Sequence, residues 1–236
     1  MKPPPFEYSA PTSIEETLQL LAQHGDSAKL LAGGQSLLPM LNFRLLEPGI
    51  IVDLNRVGEL DWLSAKDDSF AFGALIRHAA MERARCVREQ IPILATALGH
   101  VGHLAIRNRG TLVGSLCHAD PAAEVSAIAQ LLDAKLTVRS MGSVREIAAG
   151  EFFTGALETV LAPNELVTGV ELCLPRSGRW EQGSGVGWGF REVARRAGDF
   201  ALAGAAVVVL MSEGLVSSAR VALFGVYETV VRVREL

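Results

Sequence analysis

The chain has 236 residues, 49% of them hydrophobic and 20% charged, with a net charge of −4 and a pI near 5.8. This composition is globular and supports one large domain or several smaller ones, and the absence of a basic block interleaved with aromatics excludes nucleic acid as a partner. The longest apolar run, Ala201 to Met211, falls short of the about 20 residues that a membrane span needs, and MKPPPFEYSAP carries no apolar signal core, so a cytoplasmic protein is expected.

Ser13 and Glu16 form a capping box. It predicts a helix to about His24, with Ile14, Leu18 and Leu21 on one face and Gly25 as its stop. Lys29 to Ala32 reads as a short strand entering a glycine-bearing loop, LLAGGQSLLP, which runs from Leu30 to Pro39. Leu37 to Phe43 suits a helical turn, and Ile50 to Asp53 a buried strand helped by its β-branched residues.

Next come a hairpin of Leu60–Ser64 and Ser69–Phe72 around the polar turn Lys66–Asp68, and helices over Ala79–Arg88 and Ile93–Val101. A second glycine-bearing loop, IRNRGTLVGSLCHADPAAE, leads into a helix expected to start at Asp120, with Pro121 at its first position, and to end near Asp133. Lys135–Ser140 and Val167–Leu174 read as strands. Arg176–Gly185 reads as a polar linker. Gly187–Val193, Ala201–Met211 and Ser217–Phe224 read as antiparallel strands, with a hairpin turn at Ser212–Leu215. Nothing after them in the chain covers the apolar face of that sheet, so another subunit or further residues are expected to do so. Cys86, Cys117 and Cys173 are far apart and make neither a disulfide framework nor a cluster site.

The run Gly183 to Gly189 imitates a nucleotide motif, but Trp188 occupies a required glycine position and a strand follows, so it reads as a loop. No phosphate-binding P-loop sequence occurs. In the first loop, Gly33 and Gly34 allow positive φ, and Gln35 and Ser36 add donors. The segment suits either a plain strand-to-helix turn or a nest of amides around an anion. Thr111, Gly114 and Ser115 repeat that glycine-and-hydroxyl chemistry, and two such loops from different units can clamp one pyrophosphate. Glu124 lies just beyond, either as an ordinary first-turn acid or as an acceptor for a ribose hydroxyl or adenine amine. His118 and Asp120 alone make no metal site. Arg107, Arg109, Arg195 and Arg196 serve either ion pairs or an anionic cofactor. No nucleophile or acid–base constellation stands out, so no catalytic side chain is assigned and cofactor-borne chemistry is favoured.

LLAGGQSLLPMLNFRLLEPGIIVDLNRV, IRNRGTLVGSLCHADPAAE and GWGFREVARRAGDFALAGAAV resemble the FAD-binding medium subunits of molybdenum hydroxylases, the family of aerobic carbon monoxide dehydrogenase and bacterial xanthine dehydrogenase. The resemblance spans nearly the whole chain. It implies an α+β, vanillyl-alcohol-oxidase-like FAD-binding fold of two subdomains, residues 1–55 and 56–175, plus a small, truncated C-terminal α+β domain, residues 176–236. It implies FAD contacts from Leu30, Leu31, Ala32, Gly33, Gly34, Gln35, Ser36 and Leu37, from Val101, from Thr111, Gly114 and Ser115, and from Glu124, Leu166 and Arg191. Arg191 stands where some relatives carry a lysine beside the flavin. The implied function is electron transfer, from iron–sulfur clusters of a small partner subunit through FAD to an external acceptor. A large partner subunit carries the molybdenum cofactor, and the whole forms a dimer of heterotrimers. The alternative is an assembly remnant that no longer binds FAD. Its motives are a C-terminal part shorter than the family's and Val113, which replaces a family glycine and is expected to resist positive φ and crowd a phosphate, so that Val113→Gly should leave FAD affinity equal or better.

Overall fold

A computed structural model of the chain describes residues 2–66, 69–174 and 185–233. The expected turn residues Asp67 and Asp68, and the linker from Arg176 to Ser184, lie outside the described residues. Among the described residues, three larger sheets and one two-stranded ladder form.

The first is parallel. Strands β1 (Glu7–Ser9), β2 (Ala28–Leu31) and β3 (Ile50–Asp53) lie in the order β1-β3-β2. Helix α1 (Ile14–His24) starts as its cap predicts, with the Ser13 hydroxyl accepting from the Glu16 amide at 3.1 Å. The returning Glu16 carboxylate reaches one residue further, to the Thr12 amide at 2.6 Å. Ile14, Leu18 and Leu21 are buried, and Gly25 ends the helix at φ +49°. Helix α2 (Leu37–Asn42) follows the first glycine loop.

The second sheet has the order β4-β5-β10-β6-β7, all neighbours antiparallel. Its strands are β4 (Leu63–Ala65), β5 (Ser69–Gly73), β6 (Lys135–Ser140), β7 (Ser143–Ala148) and β10 (Leu166–Cys173). The hairpin is therefore real, but Leu60 sits in a short turn before it. Between β5 and β6 run helices α3 (His78–Arg83), α4 (Arg85–Gln90), α5 (Pro92–His100), α6 (Leu104–Arg107), α7 (Leu112–His118) and α8 (Glu124–Leu131). The expected single helix over Ala79–Arg88 breaks at Ala84, whose backbone is extended. Met81 and Val87, six positions apart, would point in different directions on one continuous helix. The break lets both bury completely. Helix α8 begins at Glu124 rather than after Asp120, because the Asp120 carboxylate and carbonyl close a local turn by accepting from Ala122 (2.8 Å) and Ala123 (3.0 Å). A short helix α9 (Ala149–Phe152) and a two-stranded ladder of β8 (Phe153–Gly155) and β9 (Glu158–Thr159) precede β10.

The third sheet is an antiparallel meander of β11 (Val186–Ala194), β12 (Ala201–Ser212), β13 (Leu215–Phe224) and β14 (Val231–Val233). Glu213 and Gly214, both at positive φ, form its β12–β13 turn, as a two-residue hairpin requires. Helices α5 and α8 of the second unit pack on one face, burying Phe190, Ala206, Val208, Ala222 and Phe224. The expectation of an uncovered sheet is thus corrected for that face. On the other face Val193 is exposed and Val207 and Val209 are half-buried. The alternation of burial along β12 is the period-2 pattern of a strand with one face on a core.

Candidate functional site

The first loop leaves β2 at Leu31 and enters α2 at Leu37. Gly34 is at φ +72°, and a Cβ there would meet Leu31 and Leu38 side chains at 3.0–3.1 Å. Gly33 has another task. A Cβ at Gly33 would lie 2.5 Å from the Arg109 carbonyl oxygen and 2.6 Å from Gly110 Cα. The two glycine-bearing loops, far apart in sequence, therefore touch backbone to backbone. Gln35 folds inward, its Nε2 donating to the Gly33 carbonyl at 3.0 Å. Among the described residues, no backbone hydrogen bond is donated by Gly33, Gly34, Gln35 or Ser36. That run of free amides across a positive-φ turn is a concave anion nest. Leu30, Leu31, Ala32 and Leu37 flank it, half-buried.

The second loop is not a loop at its glycine. Thr111 is the N-cap of α7, and its hydroxyl accepts from the Gly114 amide at 3.1 Å. Gly114 is small for the sake of that cap, since a Cβ would sit 2.6 Å from the Thr111 hydroxyl. Val113 lies inside the helix, 3% exposed and part of the core. It does not adopt positive φ. The expected crowding by Val113 is thereby overturned: this position needs a helical residue with an apolar side chain, and valine supplies both. Ser115 is half-buried one residue beyond Gly114.

The segment Ile76–His78 braces this second loop from behind. His78 N donates to Gly110 O at 3.0 Å, and Leu112 N to Ile76 O at 3.3 Å. The His78 ring is buried against Gly110, and burial pushes its pKa down to about 4. Arg107, one of the four arginines singled out, is structural. It pairs with Glu82 at 2.9 Å and donates to the Val101 and Gly102 carbonyls at 3.1 and 2.9 Å, closing the end of α5. Val101 is accordingly half-buried at that helix end. Arg109, Arg195 and Arg196 are exposed.

Glu124, first residue of α8, is only 8% exposed, and its pKa is pushed up to about 7, chiefly by burial and further by Glu192 and Asp120. Glu192 reaches in from β11. Its Oε1 lies 3.1 Å from His100 Nδ1, and its buried Oε2 has no partner among the described residues. Nothing in the local sequence marks Glu192, because strand alternation places it inward beside Phe190, where apolar residues are the rule. Arg191 points to the opposite, exposed side of β11, and its guanidinium donates to the carbonyl of its neighbour Phe190 at 2.8 Å. Leu166 is buried at the start of β10 within the core. The structure thus brings residues 30–37 and 109–115 together and joins Glu124 to the β11 strand. Among the described residues, no hydrogen bond or ion pair joins Val101, Leu166 or Arg191 to residues 30–37 or 109–115.

A family described as the FAD binding domain in molybdopterin dehydrogenase matches residues 4–175, and the CO dehydrogenase flavoprotein C-terminal domain matches residues 188–236. The caffeine dehydrogenase subunit beta of Pseudomonas sp. (strain CBB1) is 40% identical over 237 residues, covering 100% of this chain and 78% of that protein. The 6-hydroxypseudooxynicotine dehydrogenase complex subunit alpha of Paenarthrobacter nicotinovorans is 42% identical, covering 100% of this chain and 77% of that one. A carbon monoxide dehydrogenase structure from Hydrogenophaga pseudoflava superposes with a TM-score of 0.92 at 35% identity, covering 98% of this chain and 78% of its own.

Proposed function

Because this chain belongs to the FAD-binding family of molybdopterin dehydrogenases, we propose that it carries the FAD of a molybdenum hydroxylase and passes electrons through it to an external acceptor. The observation that carries the reading is the backbone contact of Gly33 with Arg109 and Gly110, which unites the two loops into one cradle.

The residues present fit the cofactor. The free amides of Gly33 to Ser36 suit pyrophosphate oxygens, and the positive φ of Gly34 keeps the turn open on that side. The hydroxyl of Ser115 and the side chains of Gln35 and Ser36 add donors, while Thr111 and Gly114 hold the second jaw in shape. Glu124 can accept from a ribose hydroxyl or an adenine amine. With a pKa near 7 its carboxyl also holds a proton part of the time, so it can donate as well. Leu30, Leu31, Leu37 and Val101, all half-buried, can offer apolar surface toward the remainder of the cofactor, whereas Leu166 is 2% exposed and belongs to the core. Arg191 keeps a fixed positive charge on the exposed face of β11 and would stabilise negative charge on a flavin held near it. When bound, FAD supplies one- and two-electron redox chemistry, which explains why no acid–base constellation accompanies the site.

Partners follow from this reading: an iron–sulfur subunit donates electrons, a molybdenum-bearing subunit oxidises the organic substrate, and the three assemble as a dimer of heterotrimers in the cytoplasm. Among the described residues no helix is long and apolar enough to cross a membrane. Of the two motives for the remnant alternative, the one at Val113 falls away, since Val113 is a helical core residue. The purified chain is expected to be yellow and to release FAD on denaturation. In the assembled complex, substrate should reduce the iron–sulfur clusters and then bleach the flavin. A complex lacking this chain should stop at reduced clusters, and flavin bleaching in its absence would contradict the assignment.

A further inference from the structure

The two jaws of the cradle are tied to separate anchors. The second is fixed to Ile76–His78 through backbone hydrogen bonds, including a bridge between Arg77 and Thr111. The first is fixed through the Ala32 carbonyl, which accepts from Asn55 Nδ2 at 3.0 Å. One side chain joins the anchors. Arg77 donates from one arm of its guanidinium to the Arg109 carbonyl and from the other to Asn55 Oδ1. Asn55 is itself held, because its backbone amide and Nδ2 both donate to Asp53 Oδ1, while Asp53 Oδ2 accepts from the Tyr8 hydroxyl at 2.7 Å. Every polar atom of the Asn55 side chain is therefore committed.

The bridge acts on the peptide groups that line the cradle. A peptide is planar and trans, so the Ala32 carbonyl and the Gly33 amide belong to one rigid plate and point in opposite directions. Asn55 holds the carbonyl from behind, which aims the Gly33 N–H forward, out of the loop. Arg77 holds the Arg109 carbonyl, the same oxygen on which Gly33 packs at its closest approach. A forked guanidinium can satisfy two acceptors in a fixed plane, whereas a lysine ammonium lacks that rigid fork.

Resting on the FAD reading above, we propose that Arg77 and Asn55 are positioning residues, a two-armed polar bridge that sets the separation of the two loops and the aim of the Gly33 amide at the FAD pyrophosphate.

The test is the FAD affinity of the full chain, stripped of flavin and titrated with FAD, for Arg77→Lys, Asn55→Ala and the double variant, with Gly34→Val as reference. Loss of a charge-assisted hydrogen bond should weaken FAD binding about tenfold or more in each single variant. The double variant should lose no more than the worse single one, because both act through the same bridge. A bridge that serves only folding would lower the melting temperature of the flavin-free chain and leave the FAD affinity of the folded protein unchanged. That result, or losses that simply add, overturns the proposal. Should Arg77→Lys fail to fold, Asn55→Ala tests the bridge from its other end. If Gly34→Val loses FAD while Arg77→Lys and Asn55→Ala keep it, the bridge is wrong and the FAD site stands. If Gly34→Val binds FAD as well as the unaltered chain, the site itself is wrong and the bridge falls with it.

Discussion

The two loops read alike in sequence, each a glycine beside hydroxyl-bearing residues, yet they are built on different physics. In Ala32–Ser36 the glycines serve the backbone: Gly34 takes φ +72°, and Gly33 lets two main chains meet. In Thr111–Ser115 the glycine serves a side chain, since Gly114 makes room for the Thr111 hydroxyl that caps α7. A glycine motif is therefore not one device. What its neighbours do decides which residues can replace it, and Val113 is acceptable in the second loop for the reason that it would be unacceptable at Gly34.

This contrast can be broken experimentally. The largest effect is expected at Gly33. Gly33→Val forces its Cβ into the Arg109 carbonyl and should weaken FAD binding about a hundredfold, the worth of two lost amide–phosphate bonds at roughly 1.4 kcal/mol each, as read by flavin titration of the folded variant. Val113→Gly comes next, and it acts on stability rather than on the flavin. It removes a buried apolar side chain and puts glycine into a helix, at a cost of about 3 kcal/mol of stability, measured by denaturant unfolding, while the folded fraction should bind FAD as before. Thr111→Val should cost about 1 kcal/mol by removing the cap, and Thr111→Ser should restore it.

A smaller effect lies in pH. Glu124 has its pKa raised in the folded chain, so its contribution is complete below the ordinary carboxylate value and is lost as pH rises toward about 7. His78 has its pKa lowered, so its contribution is complete above the ordinary imidazole value of 6.5 and is lost as pH falls toward about 4. The flavin-free chain should therefore lose stability in both directions, and Glu124→Gln should flatten the alkaline limb alone in a melting-temperature profile. An unchanged alkaline limb would mean that Glu124 is not the group responsible.

Much of the fold was legible in the residues. Ser13 and Gly25 bracket α1, the β-branched Ile50–Asp53 is a strand, and Glu213 with Gly214 turns the β12–β13 hairpin. Where reading failed, a long-range or local competitor decided. Asp120 looked like a helix cap and closes a turn instead, because its carboxylate finds the Ala122 amide first. Strand β7 has five of six residues exposed and no alternation to betray it. In the candidate site, the glycine-and-donor run 33–36 stands out in the residues themselves, and the apolar residues around it enter only through the family resemblance. Asn55, Arg77 and Glu192 could not, since each matters only through a partner distant in sequence: Ala32, Arg109 and His100. A single arginine after an apolar turn carries no local mark of what it will bridge.

The central claim is that the two loops form one FAD cradle through the contact at Gly33. Flavin stoichiometry and affinity, measured side by side on the unaltered chain and on Gly33→Val with circular dichroism confirming that both are folded, test it most directly. About one FAD per unaltered chain is expected, with a loss of about a hundredfold in affinity in the variant, the worth of the two amide–phosphate bonds. A folded Gly33→Val that takes up FAD as tightly as the unaltered chain would contradict it.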